Sequence, residues 1–363
     1  MINFKKVGAT ALAGSLVAVS AYAGEMAVTG SANLTYKTGK QSVADQAGLG
    51  NDSDVAFTGT GELDNGWTFV MNALTTDDLG LSSSYTSLTM GSLGTFTIGQ
   101  SSGGAGGKYD EEVPQAYEQA SDAHHAGSAS SNKIGDQMDN GGLHYASPSF
   151  DMMGASVSID AEYNPQASND GSNDGGQPTY SATTGKGQSL GLTAKYEGVT
   201  FGIYGNEIDA RGAAANAGVS APHDSFEGAV YLKYATGPVA FGVSRSHVDS
   251  GKSAAGVATT SGHTLRTSGG IFTNDQMSIA YNVNDDLSVS YTTSKDNYSG
   301  HGIGVLSATD NTTSVDTKTR SIQAAYSMGA MSIKAYNMTV KNPGYDSDAA
   351  ELSVTEIALG LAF

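Results

Sequence analysis

The sequence predicts an all-β protein, a transmembrane antiparallel β-barrel of about sixteen strands. Three observations predict it. Apolar and small polar residues alternate with period two along most of the chain after residue 23, the spacing of a strand with one greasy and one wet face. Connections between these segments alternate between short Gly/Asn/Asp turns and long polar loops. The composition fits neither a disordered chain nor a disulfide scaffold: of 363 residues 48 are Gly, 18 are Tyr and 10 are Phe, only 15% are charged, and Cys is absent. The same absence excludes a zinc–thiolate site or a thiol nucleophile. With 18 Lys+Arg against 36 Asp+Glu, the net charge of −18 offers no basic footprint for nucleic acid.

The first element is an address. Lys5 and Lys6 precede an apolar run from Val7 to Val19, and Ala21-Tyr22-Ala23 has the small-x-small form of a cleavage site. Residues 1–23 therefore read as a secretory signal peptide, and residues 24–363 as the barrel. The run is shorter than the ~20 residues of a spanning helix, and no Cys stands at the cut to carry lipid. Cleavage removes two lysines and no acid, so the mature charge becomes −20.

The strands then follow in order: near 25–37, 52–63, 66–75, 83–90, 95–100, 140–147, 154–163 and 187–197, then 199–208, 225–236, 238–248, 275–284, 286–295, 318–328, 330–341 and 351–363. In the first, Met26, Val28, Ala32, Leu34 and Tyr36 oppose Thr29, Ser31, Asn33, Thr35 and Lys37. In the last, Ile357, Leu359, Leu361 and Phe363 oppose Glu356, Ala358, Gly360 and Ala362. Tight turns fall at Asp64-Asn65, Gly91 to Gly94, Gly198, Gly237-Pro238, Asn284 to Asp286 and Met328 to Ala330. Long polar connections are expected at 38–51, 101–139, 164–186, 209–224, 249–274 and 296–317. An even strand number puts both termini and all short turns at one end, the arrangement of an outer-membrane barrel.

A soluble two-sheet protein also alternates, but its strands average five or six residues and its outer faces are charged. Here many segments reach ten residues, and the polar faces are mostly Ser, Thr, Gly, Asn and Gln. Tyr36, Tyr163, Tyr196, Tyr234, Tyr291 and Tyr326 stand near the ends of apolar faces, where a membrane-interface girdle belongs. In hydrocarbon every backbone polar group must be paired, so such a sheet must close. Sixteen strands close around water; eight would be filled by side chains.

The chain resembles the general bacterial porins of Gram-negative outer membranes. The motifs that carry the resemblance are the terminal alternation Leu359, Leu361, Phe363, similar to the family's barrel-assembly signal, and the strand–Gly turn–strand unit from Leu88 to Gln100. Members often have Arg where this chain has Gln100. The resemblance implies that 101–139, the long third loop, folds into the barrel and narrows the pore. It also implies a homotrimer, although 76–82 is brief for the loop that latches a neighbour. In 101–139 lie Asp110, Glu111, Glu112, Glu118 and Asp122, and a short helix over 109–123 would give them one negative face in the channel. By parity Lys37, Lys195, Lys233 and Lys334 project inward, opposite those acids, so that a transverse field spans the narrow zone. Inward Asp160, Glu162, Glu227 and Glu356 add negative charge, while inward Tyr204 and Tyr231 are too few for an aromatic track.

Other constellations carry little. His124-His125 lacks metal-ligand spacing. Asp170, Ser172, Asp174 and Gly175 begin like a Ca²⁺ loop, but position twelve is Ser181, so Asp170 and Asp174 are weak Ca²⁺ candidates. Gly103 to Gly107 has no following P-loop Lys-Ser/Thr, and no Ser/His/Asp set marks a nucleophile. The sequence thus points to no enzyme and no cofactor beyond loosely held Ca²⁺. It points to an exported outer-membrane channel for passive diffusion of small hydrophilic solutes and ions, weakly cation-selective. Its expected partners are outer-membrane lipid and lipopolysaccharide, the barrel-assembly machinery and two further copies of itself. Two alternatives remain: a channel selective for a sugar or nutrient ion, and a secreted all-β adhesion protein.

Overall fold

A computed structural model describes residues 24–41, 44–76, 79–100, 103–120, 134–135, 138, 141–167, 184–210, 224–249, 251, 259–260, 263–264, 271–299, 315–345 and 347–363. The strands are β1 (Glu25–Gln41), β2 (Ala44–Glu62), β3 (Thr68–Thr75), β4 (Leu81–Thr89) and β5 (Thr95–Gln100). Next come β6, in two pieces (Leu143–Ala146 and Phe150–Met152), β7 (Ala155–Asn164), β8 (Thr184–Tyr196), β9 (Val199–Ala210) and β10 (Ser225–Thr236). The remainder are β11 (Val239–Asp249), β12 (Ile271–Asn282), β13 (Leu287–Ser299), β14 (Val315–Met328), β15 (Met331–Lys341) and β16 (Leu352–Ala362).

Each strand pairs antiparallel with the next, and β1 pairs with β16 from Ser31↔Ala362 to Lys40↔Ser353, so the sheet closes. The sheet contains 17 hydrogen-bonded segments. Both pieces of β6 lie along the same neighbour, β7, so the circumference is sixteen strands. Pro148 explains the break, because it has no N–H to give a ladder; beside it the Ser147 Oγ accepts the Ile159 N–H at 2.8 Å, in place of a strand carbonyl. At the seam Phe363 and Gly30 exchange both backbone hydrogen bonds, at 3.0 and 3.1 Å.

Polarity is inverted relative to a water-soluble protein. Outward-facing Met26, Leu34, Ile203, Leu232, Phe241, Met277, Ile322 and Leu361 are exposed, and so are all six tyrosines expected at strand ends. Inward-facing Asp160, Asn206, Glu227, Gln276, Thr292, Ser321 and Gln323 are buried. Only a lipid exterior makes such a surface stable, because in water that apolar band would cost free energy in proportion to its area. Many inward polar groups bond to one another: Thr292 donates to Ser278 at 2.9 Å, Asn72 to Thr58 at 2.9 Å, and Asn274 to Ser294 at 2.8 Å. Above the apolar band the outer face turns charged, with Arg245 beside Asp275 at 3.2 Å and Lys295 beside Asp316 at 3.1 Å. No helix among the described residues is long and apolar enough to cross a membrane; the strands do the crossing.

Two local expectations are corrected. Segment 38–51 is not a loop: β1 and β2 pair without interruption from Glu25↔Thr60 to Gln41↔Ala44, a hairpin that stands beyond β3. Its Gly, Ser and Asp content reads as loop, yet a strand edge in water tolerates those residues. The helix expected over 109–123 does not form in its described part, 109–120. Pro114 removes one helical donor, and the N–H groups of Ala116 and Tyr117 bond to side chains of the wall.

Candidate functional site

Segment 103–120 leaves β5 through Gly103 and Gly104, both in the left-handed region at φ +80° and +47°, and makes a single 3₁₀ turn at Gly106–Lys108. From there it is held against inward-facing side chains of successive strands. On β7, Glu162 accepts the Ala105 N–H at 2.8 Å, and Asp160 accepts the Tyr109 hydroxyl at 2.9 Å while pairing with Lys108. On β10, Lys233 pairs with Glu112, and Glu227 accepts at 2.9 Å the N–H of Gly135, which lies against Gly106 of the segment. On β12, Gln276 donates to Glu111 and Ser278 donates to the Pro114 carbonyl. On β13, Ser290 accepts the Ala116 N–H at 2.9 Å. On β14, Gln323 accepts the Tyr117 N–H at 2.8 Å and donates to the Glu118 carbonyl at 2.5 Å. On β16, Glu356 accepts the Tyr117 hydroxyl at 2.6 Å, and Lys334 of β15 sits 5.1 Å above the Tyr117 ring.

Packing adds to these bonds. Tyr109 stacks on Tyr204 with ring centroids 5.2 Å apart and leans on Tyr231 at 6.3 Å. Gly191 on β8 leaves the space its ring occupies, and Gly242 on β11 does the same for Pro114; a Cβ at either would collide. Burial, and beside it the Asp160 carboxylate, raises the Tyr109 phenol far above its ordinary range, so it remains a donor. A second loop contributes Tyr345, which packs on Phe272 at 5.8 Å and Tyr298 at 5.6 Å in the same apolar cluster as Tyr109.

Two cavities flank the segment at the short-turn end. The larger, about 820 Å³, lies between it and β1, β2 and β14–β16. Five carboxylates line it (Asp52, Asp54, Glu111, Glu118, Glu356) against two lysines, Lys37 and Lys334. The smaller, about 540 Å³, has the opposite balance: Lys108, Lys195 and Lys233 against Glu112.

The sequence model of the Gram-negative porins matches residues 8–360. This chain belongs to that family. The solved structure of OmpF of Salmonella typhi in complex with daunomycin superposes with a TM-score of 0.66 at 13% identity, over 93% of this chain and 97% of that one. OmpT of Vibrio cholerae, as expressed in the outer membrane, gives 0.60 at 12% identity over 95% and 99%. Its in-vitro folded trimer form gives 0.58 at 12% over 94% and 100%. These likenesses show the fold. A search of curated proteins finds no match. The porin is thus an outer-membrane channel protein.

Within this porin the residues singled out by sequence are distributed unevenly. The lysines and acids expected to face each other across a gap are in contact on one wall: Lys233 pairs with Glu112, Lys334 covers Tyr117, and Lys37 pairs with Glu356 at 2.6 Å. Lys195 alone of the four has no partner among the described residues, and it faces the smaller cavity. Glu111 and Glu112 are buried; Asp110 accepts the Ile134 N–H at 3.4 Å. Asp160, Glu162, Glu227 and Glu356, expected to charge the lumen, are buried and hold the segment, and Glu356 also lines the larger cavity. Parity puts Gln100 on the outward face with Phe96 and Ile98, so its neutrality does not bear on the lumen. Leu359, Leu361 and Phe363 share the outward face of β16. Asp122, Asp170, Asp174, His124, His125 and the signal segment 1–23 lie outside the described residues. Gln276, Ser278, Ser290, Gln323 and Tyr109 were not singled out by sequence; inward parity marks the four wall residues, but nothing in the pattern distinguishes them from other inward Ser and Gln.

Proposed function

We propose that the protein forms a water-filled pore for passive diffusion of small hydrophilic solutes and ions, with weak cation selectivity. The observation that carries this is the closed barrel with an apolar outside and a polar inside. Segment 103–120 narrows the passage, held to one wall by the hydrogen bonds above. Solutes pass on its other side, along β1–β6, where Asp52, Asp54, Tyr85 and Thr97 look inward. Five carboxylates against two lysines in the larger cavity enrich cations there, while three lysines in the smaller one offset them, which keeps the preference weak. The step makes and breaks no bond and needs no cofactor. The working form is a homotrimer, exported with cleavage after Ala23, inserted by the barrel-assembly machinery and surrounded by lipid and lipopolysaccharide.

A solute-selective channel with an aromatic track is less well supported, because Tyr109, Tyr204 and Tyr231 are buried in holding the segment. Planar-bilayer recording tests the proposal. Stepwise conductance with a reversal potential of cation-preferring sign in a KCl gradient is the expected result. Absence of steps would remove the pore, and strong anion preference would remove the charge argument.

A further inference from the structure

We infer that the smaller cavity is an oxyanion-binding site for a small doubly charged solute, a phosphate or a dicarboxylate. This rests on the channel reading only for how the solute arrives. The strand register builds the site: Thr200 on β9 pairs with Lys195 on one side and with Lys233 on the other. The two lysines are inward-facing and two strand spacings apart, about 10 Å between backbones. Both lysines and Thr200 line the same cavity, and lysine side chains are long enough to reach an anion seated over Thr200. Lys108 enters the same cavity from the segment.

The carboxylate partners of these lysines are more deeply buried than the lysines themselves. The Lys108 side chain is 42% exposed while its partner Asp160 is 2% exposed; for Lys233 and Glu112 the figures are 28% and 7%. Asp160 is not part of the cavity lining, whereas Glu112 shares it with the three lysines, so positive charge outnumbers negative on the cavity wall. Lys195 lines the cavity with no partner among the described residues. Lys233 is steadied 5.0 Å over the Tyr231 ring and Lys108 5.2 Å over Tyr109, so the pair is held in place before a ligand arrives. Three lysines against one carboxylate leave an excess of positive charge around about 540 Å³, and an oxyanion offsets it. A cation or an uncharged sugar does not. Thr200 supplies a hydroxyl donor for an oxygen between the lysines.

The test uses the folded, detergent-purified full-length protein. Phosphorus-31 line broadening of inorganic phosphate and proton line broadening of succinate are titrated in parallel, with Lys195→Gln and Lys195→Arg beside the wild type. Expected is saturable broadening of at least one dianion, with apparent affinity about threefold to fivefold weaker in Lys195→Gln, the loss of one exposed charge contact, and restored in Lys195→Arg. Broadening of one dianion only identifies the ligand as phosphate or carboxylate. No saturable broadening of either, or equal broadening in Lys195→Gln, overturns the site. The same preparations go into planar bilayers. Conductance steps without dianion broadening sink the site and leave the pore standing; broadening without steps does the reverse.

Discussion

The two halves of the barrel wall share one sequence pattern and use it differently. On β7–β16 many inward polar residues are buried: Gln276 and Gln323 are 2% exposed and Thr292 is fully covered. On β3–β6 no residue is buried, although Ser, Thr and Asn alternate there in the same way. The difference is what faces them. One half meets segment 103–120 and Tyr345, and its polar side chains serve as hooks for backbone and hydroxyl groups. The other half meets solvent. Alternation therefore fixes which side of the wall a residue is on, and the loops decide whether an inward group is an anchor or a lining.

The largest contrast should come from removing an anchor. Asp160 holds Tyr109 at 2.9 Å and His144 at 3.2 Å and pairs with Lys108. Asp160→Ala strands the buried Tyr109 hydroxyl and releases a half-exposed lysine, at a cost of about 1–3 kcal/mol to the attachment of the segment. Trypsin should then cut at Lys108 in the folded barrel, and the thermal midpoint should drop. Asp52→Ala, on the open side, should shift stability by no more than about 0.5 kcal/mol. Equal effects of the two would erase the distinction between halves.

A steric change sharpens it. Gly191→Val puts a side chain where the Tyr109 ring lies, and overpacking of this kind costs about 1–3 kcal/mol. Gly59 has open space around it, so Gly59→Ala should be silent in the same melt. Single-channel conductance should fall for Gly191→Val as the segment is pushed off the wall into the passage, and stay level for Gly59→Ala.

Charge on the open side is expected to act on ions alone. Asp52→Asn with Asp54→Asn removes two of the five carboxylates of the larger cavity. The cation-to-anion permeability ratio should fall by about twofold, the scale of an exposed pair interaction, with an unchanged melting curve. A reversal potential equal to wild type would move the selective charge elsewhere in the lumen.

How much of this could be read from the chain follows from the same contrast. Strand positions, the outward tyrosines and most short turns were legible, because each depends on residues that are neighbours in sequence. The β1–β2 hairpin was not, since its polar, glycine-containing edge carries no apolar face to mark it. The anchors were not legible either. Tyr117 and Glu356 lie 239 residues apart, and Ala116 and Ser290 lie 174 apart. Parity told that Lys233 points inward, but not that Glu112 would reach it. Pro114 was the local sign that 109–123 resists a helix.

The smallest expected effect probes what holds the covered half together. The Tyr345 hydroxyl is buried with no hydrogen-bond partner among the described residues, whereas its ring contacts Phe272 and Tyr298. If ring packing does the holding, Tyr345→Phe removes only an unpaired polar atom and changes stability by less than about 0.5 kcal/mol, in the stabilising direction. Tyr117→Phe makes the opposite case, because its hydroxyl donates to Glu356 at 2.6 Å, and its loss should cost about 1–3 kcal/mol. Thermal melts of the two hydroxyl deletions, side by side, separate a contact made by area from one made by a directed bond. A clear loss in Tyr345→Phe would mean that an ordered water satisfies that hydroxyl, and that this corner of the barrel is wetter than its burial suggests.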